Sequence, residues 1–318
     1  MKAALISPCL KVGQIKMYVL VLGLALWMPS PQASANWEGC NLSADHYPYS
    51  FCLALAQRGE SQAQYNLGIL YAEGLGVPVD AVAAVDWWRA AAAQGHVPAQ
   101  NRLGVMLRDA VGTEQNMTEA KQLFQNAADQ GHPGAQNNLG LIYYYGHGVA
   151  VDDDLAYALF RASAAQGFAK GQNNLGVMYE VGRGQPRNFA KALDCFRAAA
   201  AQGLPSAYNN LGLMYYVGQG VAQDFTLALD WFVLAARGGV NRALLNIGMI
   251  YENGPGPMQN LESAYVWFSL ASDLGEPDAA VRLERLRPQL SNAVIAAANE
   301  RVQTCKASQF TTCSRRAQ

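Results

Sequence analysis

Charge is scarce in this chain and nearly balanced: 15% of its 318 residues are charged, 23 basic against 24 acidic. A formal net charge of −1 leaves no electrostatic footprint for a nucleic-acid backbone. Long apolar runs are equally rare. The one that stands out, Met17 to Met28, is about 12 residues, short of the ~20 that a membrane-spanning helix needs. No C-x-x-C pair occurs, and His46, His96, His132 and His147 are scattered, so neither a metal site nor another cofactor is expected. The S-x-x-K, G-x-S-x-G and H-E-x-x-H motifs are missing from the chain beyond its N-terminal segment, and no catalytic residue is expected.

What the chain does have is a 36-residue repeat that holds its register from about Ala63 to Asp278. A Leu-Gly pair marks it at Leu67-Gly68, Leu103-Gly104, Leu139-Gly140, Leu175-Gly176 and Leu211-Gly212, with Ile247-Gly248 as the sixth. A constant period of this length is the mark of a stacked repeat array, in which no unit buries its apolar face alone. Within a unit, apolar residues at i, i+4 and i+8 (Ala135, Leu139, Tyr143) give one face of a first helix, A, which Gly146 and Gly148 end. A second helix, B, opens on Asp80, Asn116, Asp152, Asn188, Asp224 and Asn260, residues suited to accept from the free N–H groups of a first turn. It stops at Gly95, Gly131, Gly167, Gly203, Gly239 and Gly275.

Helix B alternates large and small residues, an aromatic column from Trp88 through Phe124, Phe160, Phe196 and Phe232 to Phe268 and small residues such as Ala84 and Ala91. Such alternation lets helices interdigitate at interior density. A glycine in mid-helix costs about 1 kcal/mol of propensity relative to Ala. Its recurrence predicts that another helix backbone passes close to it.

These columns resemble the Sel-one-like repeat family, relatives of tetratricopeptide repeats with a longer loop between the helices. The pattern A-x-x-x-L-G-x-x-Y-x-x-G-x-G-V-x-x-D, then A-x-x-W-F-x-x-A-A-x-x-G, is nearly complete in repeats one, three and five. Repeat two departs at Leu107, Ala110 and Thr113, repeat four at Gln185, and repeat six in its Gly254-Pro-Gly256-Pro257 loop. The resemblance implies an all-α fold, a right-handed α/α superhelical solenoid of six helix-turn-helix repeats with capping helices. Repeats are expected at 63–98, 99–134, 135–170, 171–206, 207–242 and 243–278, with an N-terminal cap at 36–62 and capping helices at 279–318. Residues 47–58 match a lone helix B, and a last helix is expected from Ser291 to about Thr304.

The first 35 residues read as a secretory signal peptide: Lys2, Lys11 and Lys16, a short apolar stretch, then Ala33-Ser34-Ala35, with cleavage between Ala35 and Asn36. Cleavage removes three lysines and no acid, taking the formal net charge from −1 to −4, and leaves no membrane span. The expected location is periplasmic or secreted. Cys9 leaves with the leader. Cys40 and Cys52 lie before the repeats and Cys305 and Cys313 after them, two local pairs that an oxidising compartment would bridge. Cys195 falls in a large-apolar column and is expected to be a buried thiol. Asp152-Asp153-Asp154 complements a helix dipole at its N-terminus.

In related repeats helix A lines the concave face. Its solvent-side columns are expected to hold Asn101, Asn137, Asn173 and Asn209, and beside them Asn138, Asn174 and Asn210. Amides both donate and accept, and Tyr144, Tyr145 and Tyr216 add amphipathic anchors. The competing expectation for the second asparagine column is a hydrogen-bond ladder between repeats. The chain therefore reads as a non-catalytic scaffold that binds one or more envelope proteins on this face. The alternative is an accessory protein or hydrolase acting on cell-wall glycan or β-lactams.

Overall fold

A computed structural model describes residues 9, 40, 49–308, 310 and 313. The expected leader apart from Cys9, its cleavage site at Ala35 and Asn36, and most of the N-terminal cap lie outside the described residues. Among those described there are fifteen α-helices and no strand. A lone helix α1 (Tyr49–Gln57) precedes six pairs, and each pair is one repeat. The pairs are α2 (Ser61–Glu73) with α3 (Ala81–Ala93), α4 (Val97–Asp109) with α5 (Met117–Asp129), and α6 (Pro133–Tyr145) with α7 (Asp153–Ala165). They continue as α8 (Ala169–Val181) with α9 (Phe189–Ala200), α10 (Pro205–Val217) with α11 (Phe225–Arg237), and α12 (Asn241–Asn253) with α13 (Leu261–Asp273). Helices α14 (Pro277–Leu286) and α15 (Asn292–Ala307) close the array. The described residues form two compact units divided within α8, the first ending at Gly171 and the second beginning at Gln172 and including Cys9.

The expected helix punctuation is realised. Each of the six Asp or Asn residues at the start of helix B accepts from one or two first-turn N–H groups, as Asp80 does from Val82 and Ala83. The six glycines that end helix B all sit at φ between 79° and 86°, the left-handed region where a Cβ is costly. Helix A ends the same way at Gly74, Gly146, Gly182 and Gly218. Repeat two keeps this geometry without glycine, since Ala110 takes φ 57° and its N–H still bonds Met106 O. Repeat six abandons it: Gly254 is extended at φ −66°, and a short 3-10 turn, Gly256–Met258, follows.

The mid-helix glycine has a different cause from the one expected. No helix backbone is its nearest neighbour; the aromatic ring of its own repeat is. A Cβ on Gly140 would lie 2.7 Å from Phe160 Cε1, and Gly68, Gly104, Gly176, Gly212 and Gly248 meet Trp88, Phe124, Phe196, Phe232 and Phe268 in the same way. The rings are at most 2% exposed, so each glycine is the socket of a fully buried aromatic. Small residues compensate in the same manner elsewhere: Gly171, where the other repeats carry Ala, makes room for Ser163, where the others also carry Ala.

Both ends are sealed covalently. Cys40 is bridged to Cys52, which occupies the position of the aromatic column in α1, and Cys305 is bridged to Cys313 beyond α15. Helix α15 is further tied to α13 by Arg301–Glu262 (2.6 Å) and Lys306–Asp273 (2.7 Å). Cys195 is not the thiol expected of it: it is bridged to Cys9, and both are fully buried. A chain cut after Ala35 would lose Cys9 and keep Cys195 as a buried thiol.

Candidate functional site

The residues singled out on helix A fall into two groups. Most of the asparagines hold one repeat to the next. Asn138 donates to Asn101 Oδ1 (3.0 Å) in the first unit. Asn210 donates to Asn173 (2.9 Å), and Asn246 to Asn209 (3.0 Å), in the second. Every bond spans 37 residues, from one helix A to the next. Asn173 also donates to Asn174 Oδ1 at 3.4 Å. The solvent-side placement expected of the first asparagine column fails at Asn137 and Asn173, which are 2% and 7% exposed. The ladder that was the competing expectation for the second column runs between the two columns, with Asn138, Asn210 and Asn246 as donors and Asn101, Asn173 and Asn209 as acceptors. Apart from these rungs, Asn66 donates to the backbone carbonyl of Cys40, a member of the first bridge.

A second ladder escaped the sequence reading. Within repeats one to four a glutamine at the end of helix B donates to a buried glutamine on helix A: Gln94 to Gln64, Gln130 to Gln100, Gln166 to Gln136 and Gln202 to Gln172. The signal was present, because both columns change together, to Tyr208 with Gly238 in repeat five and Leu244 with Leu274 in repeat six. Tyr208 instead stacks on Trp231, with ring centroids 5.7 Å apart. Two of the histidines also have local duties. His96 and His132 cap α4 and α6, their Nδ1 atoms accepting from Ala99 and Ala135 N–H at 3.2 and 3.1 Å. Burial pushes both imidazoles below the ordinary histidine range, and Arg102 adds to this at His132.

The tyrosines remain outward. Tyr145 is 60% exposed and packs edge-on against the half-buried Tyr144 (4.9 Å) in the first unit. Tyr216 is half-buried beside Phe225 (5.6 Å) in the second. They lie in the last turn of helix A with the column Ala72, Arg108, Tyr144, Glu180, Tyr216 and Glu252. Arg108 is held by Asp109 in a two-bonded pair (2.7 and 2.9 Å) and donates to Asn138. Glu252 is buried between Arg282 and Arg285, at 2.5 Å from each. In the first unit a cleft of about 410 Å³ is lined by Arg89, Gln100, Leu103, Glu119, Leu123 and Asn126, a mixed surface with no acid pair or nucleophile. Among the described residues no group of three His, Cys, Asp or Glu could hold a metal ion, and no helix is long and apolar enough to cross a membrane.

The Sel1 repeat pattern matches this chain six times without a gap, at residues 61–96, 97–132, 133–168, 169–204, 205–240 and 241–276. No curated protein matches it. Among solved structures it is similar to a protective antigen present in uropathogenic Escherichia coli strains that displays an SLR fold. That protein is 33% identical over 77% of this chain and 52% of its own, with a TM-score of 0.62. This chain thus spans about half the length of that antigen. It is also similar to a Sel1 repeat protein from Oxalobacter formigenes, 27% identical over 71% of this chain and 94% of that one, with a TM-score of 0.61. Six contiguous matches and the helix pairs beneath them make the chain a member of the Sel1 repeat family, α/α solenoids that typically serve protein–protein interaction.

Proposed function

We propose that the chain is a non-catalytic scaffold or adaptor of the cell envelope. In this reading it binds a segment of a partner protein on the face lined by helix A and so regulates or assembles an envelope complex. The observation that carries it is the outward placement of Tyr144, Tyr145 and Tyr216 on helices whose asparagines are committed to holding repeats together. Within each unit, helices held together by such rungs and carrying large amphipathic side chains match what partner binding needs, since two-torsion aromatics lose little entropy when they are covered. Support for the compartment comes from the bridged cysteine pairs, which persist where thiols are oxidised. The leader at residues 1–35 and the caps at 36–62 and 279–318 belong to the same proposal.

In-cell crosslinking of the tagged protein, followed by mass spectrometry, tests the scaffold reading. One dominant envelope protein captured by wild type, and lost when Tyr144, Tyr145 and Tyr216 become Ala, is the expected result. An equal catch with both proteins, or turnover of peptidoglycan or a β-lactam by the purified chain, overturns it in favour of the cell-wall alternative. Alkylation of the denatured chain without reductant tests the compartment. A chain cut after Ala35 with both terminal bridges closed takes up one label, at Cys195, whereas three labels or more would mean that at least one bridge is open.

A further inference from the structure

The helix-A column that contains Tyr216 holds three charged residues among its six, and two of them are neutralised inside the chain. Arg108 has Asp109. Glu252 has Arg282, which lies 30 residues further on in α14, and Arg285 on the same helix. The third, Glu180, is half-buried, yet among the described residues no cation or hydrogen-bond donor reaches its carboxylate. The residue 30 positions beyond it is Asn210, whose amide is spent on Asn173. Lys191 lies over the ring of Tyr179 instead, and Arg183 is itself partnered. Burial alone pushes the Glu180 carboxyl above the usual carboxylate range.

A half-buried carboxylate without a counter-charge loses part of its hydration uncompensated, and such departures from polar satisfaction gather at functional sites. The chain itself shows what completes a glutamate in this register, because Glu252 two repeats on takes two guanidinium groups. We propose that Glu180 is a cation-binding position on the helix-A face, taking an arginine or lysine side chain from the bound protein segment, with the adjacent Val181 and, one repeat on in the same two columns, Tyr216 and Val217 as apolar surface for that segment. Val181 and Val217 are 47% and 53% exposed at the ends of α8 and α10, so all four residues lie within the second unit. The inference rests on the scaffold reading and names the chemistry of its partner.

Selection of phage-displayed random peptides on the full chain, with Glu180→Gln as the second bait, tests it. Wild type is expected to enrich peptides that share a basic residue. Replacing that residue by citrulline or norleucine, or Glu180 by Gln, is expected to weaken binding by about tenfold, and the double change by little more. Peptides enriched without a basic residue, or held equally by Glu180→Gln, overturn this inference and leave the scaffold reading standing. A selection that enriches nothing sinks both. A thermal melt separates binding from folding: Glu180→Gln is expected to melt at the same temperature as wild type or higher, and a marked drop would make Glu180 structural and overturn the assignment.

Discussion

Asn210 donates its side-chain N–H to Asn173 Oδ1 at 2.9 Å, and that one bond joins α10 to α8 across a repeat boundary. Asn173 is 7% exposed, so water cannot easily replace the donor. Leaving a buried acceptor unpaired costs about 1–3 kcal/mol. Asn210→Ala should therefore destabilise the chain by that amount in a denaturant titration, although Asn210 itself is only half-buried. A double-mutant cycle with Asn173→Ala should show the two losses to be shared. Strict additivity would contradict the pairing.

Glycine to alanine inside a helix ordinarily stabilises by up to about 1 kcal/mol. At Gly140 the sign should invert, because the new Cβ would sit 2.7 Å from Phe160. Overpacking of this kind costs about 1–3 kcal/mol. Phe160→Leu in the Gly140→Ala background should recover part of the loss. A Gly140→Ala chain that melts higher than wild type would show that the ring is not the constraint.

The capping histidines make stability depend on pH. His96 and His132 accept backbone N–H bonds through Nδ1, which only a neutral imidazole can do. Around His96 lie Gln62, whose Oε1 is 3.1 Å from Nε2, and the Tyr65 ring; Arg102 acts on His132. Both folded pKa values are depressed below the ordinary 6.5, so in the window beneath 6.5 the unfolded chain binds more protons than the folded one. Their contribution is complete above that value and is lost as pH falls towards the depressed folded values. Asn caps helices without titrating. The His96→Asn/His132→Asn chain should show a flatter melting temperature between about pH 5 and 7 than wild type. Superimposable pH profiles would remove the caps as the cause.

Ala110 offers a direct gain. It occupies the left-handed region at φ 57°, where the other helix-A stops of this geometry use glycine. Ala110→Gly should stabilise by roughly 0.5–1 kcal/mol, net of the extra freedom glycine gives the unfolded chain. A calorimetric scan that shows a lower melting temperature would contradict this.

Much of this was legible in the chain because it is local. A cap needs its Asp or Asn a few residues from the N–H groups it receives, and a left-handed stop needs its glycine at one place, so Asp80 and Gly95 announce their roles. The rungs are another matter. Asn138 and Asn101 stand in separate columns of the sequence, and only the stacking of one helix A on the next brings them 3.0 Å apart. The glutamine rungs depend equally on how helix B folds back on helix A. For the same reason the asparagine columns read as a surface: period shows which side chains share a face, and not which of them that face covers. The Gly140 socket was misassigned for a related reason, since a recurrent glycine reports a close approach without naming the atom that approaches. Ser163 and Gly171 show the reverse, two departures from their columns that make sense only as a pair.

Photo-crosslinking from a single position tests the central claim most directly. A benzophenone amino acid placed at Tyr216 on the helix-A face should yield one dominant adduct with an envelope protein, and the same group at exposed Gln122 on α5 should yield none of it. Adducts of equal yield from both positions, or none from Tyr216 in a chain that melts like wild type, would contradict a binding face on helix A.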